Sequence, residues 1–287
     1  MNPLRRVAVA LAVVAGVGVG AACVGSTGSP RFAFEARAGG APREGSGPLR
    51  FTNEVGWDVT LERADVTLGP IYLNVVAPLG AQSLRELFVK TAWAHGESHL
   101  SSGRVVGEVL AQVRFDALSP SLVPFPVVGA ITQEQVRTAE VWFYPEPGVS
   151  PDTTKIDTVA LDVAGAARRG DRAVRFRGKL ILDDAWQRSA SSGSRGAQSI
   201  AEIRRVRGIA SSFYPREGGH LEITFDVKRL FRGADFDNLA SNPSDKDGTK
   251  ILVQSKTGKF TTDQVMQNLY QGLREANGTY AVRWVDP

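Results

Sequence analysis

A chain of 287 residues with 43% hydrophobic and 22% charged content is long and apolar enough to bury a full core, which excludes a disordered or fibrous protein. Its formal charge of +4 is spread over 34 basic and 30 acidic residues with no long basic block, so no nucleic-acid partner is expected. A single cysteine, Cys23, excludes a disulfide-built scaffold.

Residues 1–6 carry two positive charges, Arg5 and Arg6, and are followed by the uncharged run VAVALAVVAGVGVG and the small residues Ala21 and Ala22. Charged, apolar, then small is the order of a secretory leader. The apolar run falls short of the roughly 20 residues that a bilayer-spanning helix needs. Gly-Ala-Ala immediately before Cys23 resembles the lipobox of bacterial lipoprotein precursors. That resemblance implies that residues 1–22 are a signal peptide and that Cys23 is acylated, with palmitate or a similar chain, as the first residue of the mature protein. It also implies a cell-envelope location, on an outer-membrane or periplasmic face, with attachment to the membrane through the N-terminal lipid. Gly20 stands where the family usually has Leu or another large aliphatic residue. Loss of Arg5 and Arg6 with the leader would halve the formal charge.

Residues 23–48 contain GSTGSP and RAGGAPREGSGP, a composition unable to bury a core. They are expected to form a flexible tether, interrupted at most by a short strand at RFAFEAR. The folded domain is then 49–287.

From Leu49 the apolar residues recur with period two between turn residues. In WDVTLERADVTLGPIYLNVV, Val59 and Leu61 share a face, Ala64, Val66 and Leu68 take the opposite phase, and Ile71, Leu73 and Val75 follow Gly69-Pro70. The slip at Arg63–Ala64 requires a bulge or tight turn, because one residue of slip exchanges the two faces. Further strands are expected in RVVGEVLAQVRFDAL, VRTAEVWFYP, IDTVALDVAGAAR, AVRFRGKLILDD, SIAEIRRVRGIASSFY, HLEITFDVKRLF, KILVQS and YAVRWV. AVRFRGKLILDD sets Val174, Phe176 and Leu180 against Arg175, Arg177 and Lys179, one dry face and one wet. The cluster RRVR at 204–207 is expected to be the solvated basic face of such a strand. Strands divided by Gly, Pro, Asp and Asn turns predict a mainly β fold, an antiparallel β-sandwich.

One or two helices decorate it. SLRELFVKTAWA places Leu84, Leu87, Phe88 and Ala92 at helical spacing after Ser83, and TTDQVMQNLYQGLREANG places Val265, Leu269 and Leu273 after a cap at Thr262, with Gly278 as the stop. Residues 119–130 and 187–197 are expected to be loops. No fixed-period repeat argues for a propeller or solenoid, so a single domain is expected. The five tryptophans are scattered along the chain, as core-packing residues are.

Three histidines carry the clearest candidate chemistry. His95 and His99 lie close together in WAHGESHL, and His220 opens the strand HLEITFDV. Imidazoles at this spacing can share a metal, for which copper or zinc is the natural choice, with His220 as third ligand and Glu222 or Asp226 as fourth. The stretch SNPSDKDGTK orders Asp245, Asp247 and Gly248 like a calcium loop, but Lys256 occupies the position that requires a glutamate, so a plain turn is expected. No G-x-S-x-G elbow and no phosphate loop with its lysine is present, and the chain is not expected to be an enzyme.

The succession FTNEVGWDVTLERADVTLGPIYLN, the histidine segment and GGHLEITFDVKRLFRGADFDNL is distantly similar to periplasmic copper-handling β-sandwich proteins. The cysteines typical of those proteins are missing here. Two functions follow: a non-catalytic envelope domain that binds a partner protein or surface polymer, and a metal-binding lipoprotein using His95, His99 and His220.

Overall fold

The computed structural model describes residues 29–45, 47–76, 104–143, 159–182, 204–254 and 263–287. Within them, β1 (Arg31–Gly40), β4 (Ile71–Asn74), β5 (Val105–Val109), β7 (Val123–Pro124), β8 (Gly129–Thr132), β9 (Val136–Trp142), β12 (Arg205–Phe213), β13 (His220–Phe225) and β15 (Tyr280–Val285) form a nine-stranded sheet. Its order is β12-β9-β4-β5-β8-β1-β13-β15, with β7 beside β1. A six-stranded sheet holds β2 (Leu49–Thr52), β3 (Asp58–Leu68), β6 (Val113–Asp116), β10 (Val159–Arg169), β11 (Arg172–Ile181) and β14 (Lys250–Ile251), in the order β14-β11-β10-β3-β2 with β6 also on β3. The fold is mainly β, as the period-two alternation requires.

The two sheets share chain at one corner. β3 ends in the six-stranded sheet and continues through Gly69-Pro70 as β4 of the nine-stranded one, while β5 returns through Ala111-Gln112 to β6. The crossings touch. Gly69 has a φ of 121°, and a Cβ there would lie 2.0 Å from the Ala111 carbonyl oxygen, so only glycine passes. Between the layers, Phe115 of β6 meets Phe225 of β13 edge-on at 6.4 Å. The expected slip in β3 is a bulge: Arg63 pairs with Ala164 and Leu61 with Gly165, leaving Glu62 over. The nine-stranded sheet also curls. Phe213 of β12 stacks on Trp284 of β15 at 6.0 Å, although the two strands stand at opposite ends of its order.

One α-helix, α1 (Gln264–Leu273), buries Val265, Met266, Leu269 and Leu273. Its cap is Asp263, not Thr262: the carboxylate accepts from Met266 N at 2.8 Å. The other oxygen takes Asn242 Nδ2 and Val253 N, which is how a carboxylate only 1% exposed is satisfied. α1 packs on a 3-10 helix over Val227–Phe231, where Gly272 lets Leu230 approach closely. That 3-10 helix takes the end of the expected strand HLEITFDVKRLF. The helix expected at 83–94 lies outside the described residues.

Three expectations are corrected. Residues 31–40 are no tether: β1 lies between β8 and β13 with Phe34, Ala36 and Ala38 buried, so the folded unit includes Arg31–Gly40 and does not start at Leu49. Its Gly/Ser/Pro flanks concealed a strand whose inward side chains find a core on arrival. The sheets are mixed, because β1 runs parallel to β13 and β11 parallel to β14. Finally, RRVR is no solvated face, since Arg204 is 0% and Arg205 7% exposed. β12 sits against β9, where the Arg205 guanidinium lies over the Trp142 ring at 5.4 Å.

Candidate functional site

His220 opens β13 on the outward face of the nine-stranded sheet. Strand alternation turns Glu35 and Arg37 of β1, His220 and Glu222 of β13, and Arg283 of β15 to this face. Register then aligns them in two rows: Glu35, His220 and Val285 in one, Arg37, Glu222 and Arg283 in the next. His220 Nε2 lies 3.1 Å from Glu222 Oε1, and a carboxylate acceptor there assigns the ring proton to Nε2. Arg283 grips the other oxygen, with Nε at 2.7 Å and Nη2 at 2.5 Å. Arg37 Nη2 donates to Glu35 Oε2 at 2.9 Å. Burial pushes the Glu222 pKa up, but the hydrogen bonds from Arg283 and His220 outweigh it and hold the carboxyl below its ordinary 4.5.

An apolar lip stands beside these rows. After β6 the chain returns to β1 through β7, and Phe125 N donates to Ala36 O at 2.9 Å. Phe125 is buried, which turns its neighbours outward: Val123 is 36% and Val128 66% exposed, and Pro124 and Pro126 are exposed with them. Between this lip and the Glu35–Arg37 pair runs a groove of about 370 Å³. β8 begins at Gly129, opposite Phe34 in register, where a Cβ would lie 2.5 Å from the Phe34 ring, so glycine leaves room for that buried ring.

Of the residues singled out by sequence, Cys23, His95 and His99 lie outside the described residues. His220 is on this face with Glu222 beside it. Asp226 is not: it caps the 3-10 helix, accepting from Lys228 N at 3.1 Å. Among the described residues no three or more His, Cys, Asp or Glu side chains gather as a metal site. The Asp245–Asp247 stretch is the expected turn, with both carboxylates accepting from Thr249 N at 2.9 and 3.0 Å. Glu35, Arg37, Arg283 and the lip were not singled out by sequence. The one available signal was the apolar run SLVPFPVV inside a segment read as loop.

Among the described residues no helix is long and apolar enough to cross a membrane. No family model matches the chain, and no curated protein does. Among solved structures the chain is similar to MbnP from Methylosinus trichosporium, at 9% identity and a TM-score of 0.35, over 90% of this chain and 99% of that one, a likeness too slight to bear on fold or function.

Proposed function

We propose that this chain is an envelope lipoprotein, attached through a lipid on Cys23, whose β domain docks a partner protein on the β1–β7–β13 face without catalysis. The observation that carries the docking reading is the exposed apolar lip over a groove floored by an ion pair. Pro120, Pro124 and Pro126 remove backbone donors from the lip, so a partner cannot extend the sheet there and must engage side chains. Proline-rich ribbons of this kind seat in aromatic-lined apolar surfaces. The rows Glu35–Arg37 and His220–Glu222–Arg283 supply the directional contacts that fix register. Arg283 places a fixed positive charge on Glu222, which opposes a metal cation at that carboxylate. Attachment is supported by the order of residues 1–23. From Cys23 to Arg31 the chain reaches at most about 29 Å, which would keep the face close to the membrane and its resident proteins.

The test is Val128→Asp beside the unmodified protein on envelope extracts. A protein retained by the unmodified domain is identified, purified and titrated, and affinity at least about tenfold weaker for Val128→Asp supports the reading. Retention of a polymer moves the face to surface-polymer binding. Equal retention by both chains removes it from function. Stoichiometric copper or zinc in the purified protein would instead favour the metal reading attached to His95, His99 and His220. Cys23→Ser should lose fatty-acid labelling, and labelling that persists would refute the anchor.

A further inference from the structure

The outward face of the nine-stranded sheet where β4, β9 and β12 meet is both polar and buried. Register sets Asn74 beside Thr138, Tyr72 beside Glu140 and Arg205 beside Trp142. Asn74 is 1%, Thr138 4%, Glu140 3% and Arg205 7% exposed. Two guanidinium groups converge on the Glu140 carboxylate without bonding to it closely, Arg205 Nη1 at 3.6 Å and Arg207 Nε at 3.5 Å, while Trp142 Nε1 donates to it at 2.7 Å. Arg205 Nε and Nη1, Arg207 Nε and both amide atoms of Asn74 are buried with no hydrogen-bond partner. A buried polar atom left so costs about 1–3 kcal/mol, and native proteins keep such atoms where a water, ion or ligand meets them. Most of the unmet atoms are donors, three of them on cations. The group that answers them carries acceptor oxygens and negative charge.

β12 is irregular beside this face. Its register with β9 slips between Val206 and Ile209, which frees Arg207 and Gly208 from pairing, and no atom lies within 4 Å of where a Gly208 Cβ would be. The Arg207 side chain is 25% exposed, so water reaches one of the two guanidinium groups that converge on Glu140.

We propose that this face binds a small oxyanion, a carboxylate or a phosphate, met by the part-exposed Arg207, the buried Arg205 and the buried Asn74 amide. The guanidinium fork suits both anions, so the experiment separates them. The full chain is titrated by calorimetry with sodium phosphate and with sodium acetate, chloride holding the ionic strength constant. Saturable one-to-one binding is expected for at least one anion, and the preferred anion names the ligand class. Arg207→Gln should weaken it at least about tenfold, and Arg207→Lys, which keeps the charge but loses the fork, by less. Both variants should unfold at nearly the anion-free midpoint of the unmodified chain, since Arg207 is part-exposed at a bulge. No saturation by either anion below ~10 mM, or unchanged affinity in both variants, overturns the site.

Discussion

The outward faces of the two sheets treat charge in opposite ways. On the six-stranded sheet, Arg175 pairs with Glu62 at 3.5 Å, Arg114 with Asp65 at 3.1 Å, and Asp162 takes Arg63 at 2.8 Å and Lys179 at 3.4 Å. The cations stay roughly half in water, from Arg114 at 45% to Arg175 at 63% exposure, even where they meet the buried Asp162. On the nine-stranded sheet at β9 and β12, Glu140 and Arg205 are about as dry as the core, with donors unmet. A solvated charge that also has a partner is explained by solubility alone, and its pairing adds little. A buried charge with unmet donors is costly, so its presence calls for a role. The same residue types therefore carry functional information on one face and almost none on the other.

The strongest way to break this comparison is Glu140→Ala. It strands two guanidinium groups in a dry site and should cost about 3–5 kcal/mol in urea unfolding. A loss below about 1 kcal/mol would mean that the site is wet and the contrast empty.

Two buried asparagines sharpen it. Asn53 is fully used: its amide nitrogen donates to Phe231 O and Ala234 O, and its oxygen accepts from Val55 N and Trp57 N. Asn53→Ala should cost about 2–4 kcal/mol, because it unclasps the β2–β3 turn from the segment after β13. Asn74 has no such bonds, so Asn74→Leu should change anion-free stability by less than about 1 kcal/mol, or raise it. Equal losses in the two variants would show that Asn74 is satisfied in solution.

Glu222 tests the site face by acid. Its folded pKa lies below the ordinary 4.5, so the unfolded chain binds its proton first. The stability it contributes is present above that ordinary value and is lost as pH falls through the lower, folded one. Glu222→Gln should be the less stable protein near neutrality, by about 1.5–2 kcal/mol, with the gap closing in acid. A gap independent of pH down to about pH 3 would remove Glu222 from the Arg283–His220 cluster. The smallest effect belongs to the exposed ladder: Glu62→Ala should shift stability by no more than about 0.5 kcal/mol, and a shift of several would upset the contrast from its other side.

Much of the fold was legible locally. β11 alternates cleanly, and β3 does so up to its bulge, because each has one dry and one wet side, and that imprint needs no knowledge of the partner strand. The stripe of α1 was legible for the same reason at helical period. The site was less so. His220 stood out as a residue type, with Glu222 beside it, but Arg283, which holds the Glu222 carboxylate, lies 61 positions beyond Glu222 and meets it only through the β13–β15 register. The lip read as loop because its apolar residues follow no period, their exposure being set by Phe125 docking under Ala36.

By itself, then, the sequence determined the class of fold, most of the strands and the single described α-helix, since periodicity and capping are properties of neighbours in the chain. Tertiary structure alone decided that RFAFEAR joins the sheet as an inner strand, that RRVR turns into a buried site instead of a basic surface, and that an ion row meets an apolar lip beside His220. Each of those outcomes depends on which distant strand arrives alongside, and with it on whether water or protein surrounds the side chain, a quantity that no local pattern encodes.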